Sequence, residues 1–309
     1  SDSLLKIVFT GAYRASEVEL QSSSLQTGRR LMSGSARLLW TPPETEQTQL
    51  ESFANNVALK CGFDWQNDYH KLWQWSVDKP EDFWSALWDW HGIIGDKGAR
   101  ILENPGKMPG TKFFPDATLN YAENMLDFHD KDSQKPALIA HGEDGRRTIL
   151  TRSELRHKVL CLAGWMTAKG VRKGDRVAGY LPNSEVALIT MLATASLGAV
   201  FSSCSPDFGI TGVTDRFGQI EPKILVSING YQYNGKAIDK REAVAQLVDA
   251  LPSVEAVLID NYLDTGQDIL HVSTASSFED ALKYEPLDTF TRIGFNEPLF
   301  ILYSSGTTG

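Results

Sequence analysis

Tyr303-Ser304-Ser305-Gly306-Thr307-Thr308-Gly309 sets four hydroxyls and two glycines within six positions, directly after the apolar run Leu299-Phe300-Ile301-Leu302. Glycine lets a backbone turn sharply and expose its N–H groups, and hydroxyls add neutral donors, so such a run leaving a strand is suited to hold a polyphosphate. Ser304, Ser305, Gly306, Thr307, Thr308 and Gly309 are therefore the candidate phosphate contacts, with Thr307 and Thr308 the preferred hydroxyls. Without the strand ahead of it, the same composition reads as a surface turn. The lysine-bearing loop Gly-x-x-x-x-Gly-Lys-Ser/Thr does not occur in the sequence, and neither does Gly-x-Gly-x-x-Gly after a strand.

The elements that would position this run follow an α/β rhythm. Ala137 to Ala140 and Thr148 to Leu150 flank Glu143-Asp144-Gly145, a hairpin signature, and Thr151-Arg152-Ser153-Glu154 is a capping box. In the helix that follows, Leu155, Val159, Leu162 and Met166 share a face, and Gly170 ends it before a strand over 176–181. Asn183 or Ser184 caps a second helix running to Ser196, Gly198 stops it, and 199–203 returns to the sheet as a βαβ unit. Further strands are expected at 224–227, 254–259 and 299–303, with helices at 211–220 and 240–251, which predicts a largely parallel sheet with flanking helices. Ligands of such sheets bind beyond the carboxyl ends of the strands, where Ser304 to Gly309 would lie.

Ahead of this lies an aromatic-rich helical region: Trp40, Trp65, Trp73, Trp75, Trp84, Trp88 and Trp90 leave only Trp165 of the eight tryptophans outside it. Aromatics at this density read as packing. Asp78 is positioned to cap a helix that begins at Pro80, carries Phe83, Leu87 and Trp90 on one face, and stops at Gly92. Residues 1–38 read as a poorly ordered leader, 39–128 as an N-terminal region and 129–309 as the main α/β domain, with the boundary in the polar stretch Asp127 to Lys135.

Net charge is −9, from 39 acidic and 30 basic residues, without a Lys/Arg stripe to track a phosphodiester backbone, so nucleic acid is not an expected partner. Cys61, Cys161 and Cys204 are odd in number and far apart, which argues against a disulfide framework and for a reducing, cytoplasmic setting. The six histidines have no metal-binding spacing, and no metal ligand is assigned. The uncharged stretch from Val186 to Pro206 contains too many hydroxyls for a membrane span and reads as a buried helix and strand.

The hydroxyl-and-glycine run resembles the ATP loop of the adenylate-forming enzymes, the superfamily of acyl-CoA synthetases, luciferases and adenylation domains. That loop is commonly Thr/Tyr-Ser-Ser/Gly-Gly-Ser/Thr-Thr-Gly followed by Pro-Lys, and this chain ends before the Pro-Lys. Leu72-Trp73-Gln74-Trp75-Ser76-Val77-Asp78-Lys79-Pro80-Glu81-Asp82-Phe83-Trp84, Leu119 to Leu126 and Lys173 to Ser184 are similar to short-chain acyl-CoA synthetases. Where acetyl-CoA synthetases show Gly-Gly-Phe-Ser, this chain has Ser205-Pro206-Asp207-Phe208-Gly209, which favours the acetoacetyl-CoA synthetase branch, from about Leu39 to Gly309.

The resemblance implies the truncated N-terminal part of an acetoacetate–CoA ligase using ATP, Mg2+ and coenzyme A, first forming an acyl-adenylate and then a thioester. Its ribose-binding carboxylate, acyl-pocket wall and adenylation lysine would follow the phosphate loop, so the chain alone is expected to be inactive. Tyr233-Asn234-Gly235-Lys236 resembles the Arg-x-Gly-Arg that holds the phosphates of coenzyme A, with Lys236 the cation; a solvated turn is the alternative. Ser205 to Gly209 is read as a strand-to-helix turn in which Asp207 caps the next helix, and Asp215 with Arg216 as an exposed charge pair. An acetyl- or propionyl-CoA synthetase-like ligase, and a non-catalytic homologue that binds nucleotide, coenzyme A or a protein, are the alternative readings.

Overall fold

A computed structural model of the chain describes residue 39 and residues 48–263 and 272–303. The expected leader at 1–38 and the phosphate-loop candidates Ser304 to Gly309 lie outside the described residues. The chain divides into two compact units, 1–91 and 92–309.

Helices fill the described part of the first unit: α1 (Gln49–Cys61), α2 (Tyr69–Asp78) and α3 (Pro80–His91). Thr48 and Glu51 form a reciprocal capping box on α1, a pair of bonds that 48-Thr-x-x-Glu-51 spells out. Phe53, Val57, Trp65, Leu72 and Trp75 make a common core, with Phe63 stacked on Trp75 at 4.7 Å between centroids, so these aromatics are packing. Asp78 does not cap α3. It closes α2, where it accepts from the Gln74 amide at 2.8 Å, and Lys79 is the residue before Pro80. Pro80 opens α3 as the sequence predicts, and the residue directly ahead of it is Lys79 rather than Asp78.

In the second unit, the short strands β1 (Gly95–Asp96), β2 (Leu102–Glu103), β3 (Lys112–Phe113) and β4 (Thr118–Leu119) precede α4 (Tyr121–Met125). Then come the antiparallel pair β5 (Pro136–His141) and β6 (Arg147–Thr151), α5 (Arg152–Ala168), β7 (Arg176–Tyr180), α6 (Glu185–Ser196), β8 (Val200–Cys204), α7 (Ile210–Ile220) and β9 (Ile224–Ile228). The chain continues through a hairpin of β10 (Gly230–Tyr233) and β11 (Lys236–Asp239), α8 (Arg241–Ala250), β12 (Ala256–Asp260), β13 (Ala275–Ser277), α9 (Phe278–Ala281), β14 (Ile293–Gly294) and β15 (Phe300–Ile301).

Six strands form a parallel sheet in the order β13-β12-β9-β7-β8-β15. Alternate side chains divide between its faces. Val177, Ile224, Val226 and Leu258 pack with Leu155, Val159, Leu162 and Met166 of α5 and Ile189 and Leu192 of α6. Ala178, Tyr180, Leu225 and Val257 pack with Val213 and Phe217 of α7 and Val244 and Leu247 of α8. Both faces are covered, as a parallel sheet requires. Because α6 lies on one face and α7 and α8 on the other, the loops leaving β7, β8 and β9 diverge at the carboxyl edge of the sheet, where α/β folds bind ligands.

The capping box at Thr151 and Glu154 forms as the sequence predicts, with the Thr151 N–H donating to Glu154 Oε2 at 2.8 Å. Ser184 occupies the cap position of α6 without a side-chain cap bond. Asn120 is a junction: 1% exposed, it donates to the carbonyls of Ala195 and Thr291 at 2.7 Å each and accepts from the Glu123 N–H. It thereby ties α4, the end of α6 and the segment before β14, three pieces far apart in sequence.

Candidate functional site

The loop between β8 and α7, Ser205 to Gly209, is fixed by side chains from three other elements. Tyr180, on β7, is fully buried up to its hydroxyl, which lies 2.9 Å from the Pro206 carbonyl and 2.7 Å from that of Phe208. Tyr231, on β10, donates its hydroxyl to Asp207 Oδ1 at 2.5 Å, while Ser205 Oγ holds Asp207 Oδ2 at 2.9 Å. Lys240, at the start of α8, sits 5.7 Å from the centroids of both tyrosine rings and donates to Tyr180 Oη at 3.3 Å. Asp207 therefore braces its own loop. The cap of α7 is Gly209 instead, because a carboxylate spent on Tyr231 and Ser205 is not available to the helix.

The electrostatics suit a fixed scaffold better than proton transfer. The Tyr231 hydroxyl, and after it Ser205, hold the Asp207 carboxyl below its ordinary range, so it stays an anion at neutral pH. Burial pushes Tyr180 up to about 12, and burial followed by the bond to Asp207 pushes Tyr231 further in the same direction. Burial pulls Lys240 down while Asp207 opposes it. Tyr231→Phe is expected to cost about 1 kcal/mol at pH 7, a single hydrogen bond to an exposed carboxylate. Since the Asp207 pKa is depressed in the fold, that stabilisation is present above the unfolded-state value and disappears as pH falls through the folded one. Urea titrations at neutral pH and near pH 3 should show the deficit shrinking in acid.

The neighbouring edge, between β8 and β15, leads into the hydroxyl-and-glycine run. Phe300 pairs with Phe201 and Ile301 with Ser202, and Ser202 Oγ donates to the Ile301 carbonyl at 2.8 Å, so β15 is seated on β8 by side chain as well as backbone. Tyr303, the last described residue, donates its hydroxyl to the Arg216 carbonyl on α7 at 2.6 Å. The Arg216 guanidinium lies 4.7 Å from the Phe208 ring and 5.7 Å from the Tyr303 ring. Arg216 is thus placed by aromatic contacts, and among the described residues no ion pair joins it to Asp215, whose adjacent position had suggested one.

Tyr233 to Lys236 form the turn of the β10–β11 hairpin, with Asn234 at φ 49° and Gly235 at φ 74°. Two successive positive φ values are the signature of the tight turn that Asn-Gly favours. The Asn234 N–H donates to Glu143 Oε2 at 2.7 Å, so a carboxylate already stands at the tip. Contacts nonetheless run from this hairpin to the β15 edge: Tyr231 holds Asp207, its neighbour Phe208 meets Arg216, and Arg216 meets Tyr303. Arg216, Tyr231, Lys240 and Tyr180 were not singled out as site residues in the sequence. The Asn234-Gly235 dipeptide between alternating residues was a signal for the hairpin, and hence for where Tyr231 points.

Comparison with known proteins gives the geometry a lineage. Residues 127–309, more than half of the chain, match the family described as AMP-binding enzyme. The chain belongs to that family. Residues 69–125 match the acetyl-coenzyme A synthetase N-terminus. Among curated relatives, the acetoacetyl-CoA synthetase of Macaca fascicularis is 38% identical over 284 residues, covering 88% of this chain and 42% of its own length. The acetoacetyl-coenzyme A synthetase of Rhizobium meliloti is 40% identical over 278 residues, with the same shares. The solved acetoacetyl-CoA synthetase from Streptomyces lividans superposes with a TM-score of 0.77 at 39% identity, covering 84% of this chain and 39% of that one. This AMP-binding chain thus spans less than half the length of the relatives it matches, and its parallel sheet and flanking helices are those of the expected fold.

Proposed function

We propose that the chain is the N-terminal portion of an ATP-dependent acetoacetate–CoA ligase and that Ser304 to Gly309 form its triphosphate-holding loop. The observation that carries this reading is the placement of β15: its last residues emerge at the carboxyl edge of a parallel sheet, beside the braced Ser205–Gly209 loop. The likeness to acetoacetyl-CoA synthetases across most of the chain supports the choice of acid.

In the first step a carboxylate oxygen bonds to the α-phosphorus of ATP, the bond to the β-phosphate bridging oxygen breaks, and pyrophosphate leaves. In the second, the thiol sulfur of coenzyme A bonds to the acyl carbon, the bond from that carbon to the AMP phosphate oxygen breaks, and AMP leaves while the thiol proton passes to solvent. The charge that develops on pyrophosphate calls for preorganised N–H and O–H donors, which the hydroxyl-and-glycine run supplies without moving a proton. Magnesium would travel with the nucleotide's phosphates, and no residue of the chain is assigned to it. Tyr233, Asn234, Gly235 and Lys236 are retained as a coenzyme A contact, with Lys236 as the cation. The domain division at 1–38, 39–128 and 129–309 and a cytoplasmic setting belong to the same reading.

The chain by itself is expected to bind ATP and to form no acetoacetyl-CoA from acetoacetate, ATP and coenzyme A in a chromatographic product assay. Thioester formation by the chain alone would overturn its assigned inactivity. In a complete protein carrying this sequence, ATP–pyrophosphate exchange should be faster with acetoacetate than with acetate, and the reverse preference would move the chain to the acetyl branch.

A further inference from the structure

Lys240, the residue ahead of α8, is fixed between two strand ends on the carboxyl edge of the sheet. Its backbone N–H donates at 2.9 Å to the carbonyl of Asn229, the residue after β9, and its Nζ donates at 3.3 Å to the hydroxyl of Tyr180, the last residue of β7. The same nitrogen lies 5.7 Å from the ring centroids of both Tyr180 and Tyr231. Other lysines stand differently. Lys71, Lys112, Lys135, Lys173, Lys223 and Lys283 pair with carboxylates, and Lys169, exposed, meets the ring of Trp165. Among the described residues Lys240 forms no ion pair, and it is the one lysine set against two aromatic rings and a phenol oxygen.

These surroundings favour the uncharged amine. The rings and the sheet edge remove water from Nζ, and 5.7 Å is close to the limit of about 6 Å for attraction of a cation by a ring face, so little is returned for the lost hydration. Asp207, the carboxylate that opposes this, already engages both oxygens, with Tyr231 at 2.5 Å and Ser205 at 2.9 Å. Asp239 and Arg241, on either side in the sequence, pair with each other. The cap position of α8 adds the positive end of a helix dipole. Burial accordingly pulls the Lys240 pKa down, and Asp207 acts in the other direction. We propose that Lys240 is an acyl acceptor, its amine taking an acyl group from a mixed acyl–phosphate anhydride at this edge of the sheet. Nζ bonds to the acyl carbon, the bond from that carbon to the phosphate oxygen breaks, the phosphate leaves as an anion, and a proton passes from Nζ to solvent. An acyl-adenylate is such an anhydride, so the donor rests on the ligase reading given above, whereas the reactivity of the amine does not. The product amide keeps one N–H for Tyr180 and loses the charge near Asp207, so acylation changes the clamp on Ser205 to Gly209.

The test treats the 309-residue chain with acetyl phosphate, a mixed anhydride made without the protein, and follows each lysine by peptide mass spectrometry. Lys236, exposed on the β10–β11 hairpin, is the internal reference. At pH 7 Lys240 should be acetylated at least about threefold faster than Lys236, because attack requires the neutral amine. As pH rises, its rate should level off before that of Lys236, and in denaturing urea the ratio should fall to about one. A Lys240 that reacts no faster than Lys236 in the folded chain overturns the proposal. So does a preference that survives unfolding, which belongs to the local sequence and not to the rings. Selective acetylation of Lys240 in a complete protein that shows no ATP–pyrophosphate exchange with acetoacetate would uphold the site and remove the ligase reading.

Discussion

Valine at both Thr307 and Thr308 is expected to weaken ATP binding by the chain about a hundredfold while leaving its unfolding midpoint in place. Valine keeps the branched shape of threonine and removes only the hydroxyls, so the change isolates hydrogen bonding. Each hydroxyl donated to a charged phosphate oxygen contributes about 1.5 kcal/mol at the low end of the usual range, and two contribute about 3 kcal/mol, or roughly 150-fold. The loss should be absent for adenosine and grow with the number of phosphates. Thermal unfolding of the same variant serves as the folding control. Unchanged ATP affinity in the double variant would mean that the run is a surface turn, the reading its composition allows when the strand before it is ignored.

The parts of this protein that were legible in its sequence are those written in local chemistry. The capping box at Thr151, the apolar face of Leu155, Val159, Leu162 and Met166, the left-handed glycines at 170 and 198, and the hairpin around Gly145 all depend on neighbours within a few positions, and all form. From them the alternation of strand and helix follows, and with it the parallel sheet. What could not be read are bonds between residues distant in the chain. Asp207 has the right type to cap α7, but the cap position falls on Gly209, and Tyr231, from a hairpin 24 positions later, holds the Asp207 carboxylate on the loop. Asp215 and Arg216 are adjacent, yet on a helix adjacent side chains diverge, and Phe208 and Tyr303 supply the surroundings that decide where Arg216 lies. The site was legible to the extent that one strand and one composition-biased run announce it; its scaffold was encoded in pairings that spacing does not reveal.

The same edge of the sheet carries a carboxyl group that destabilises the fold at neutral pH, and removing its charge should be measurable as a gain. Asp260 ends β12, and burial, reinforced by the nearby Glu185 and Glu279 and only partly offset by Arg146 and Lys158, raises its pKa from 3.8 to about 6. Between those values the folded chain binds the proton that the unfolded chain has released, so stability declines as pH rises across the window, and the full penalty applies above it. A shift of about two units corresponds to roughly 3 kcal/mol. Asp260→Asn, similar in shape and uncharged, is therefore expected to raise unfolding free energy by about 2 to 3 kcal/mol at pH 7, and to bring no gain near pH 4, where the native carboxyl is already protonated. Urea unfolding at the two pH values makes the comparison within one protein. A gain of equal size at both would assign the effect to packing, and a loss at pH 7 would show that the Asp260 carboxylate is held by a favourable partner. A retained penalty of this size at the carboxyl edge, where α/β folds place their ligands, marks a position whose charge the fold tolerates without deriving stability from it.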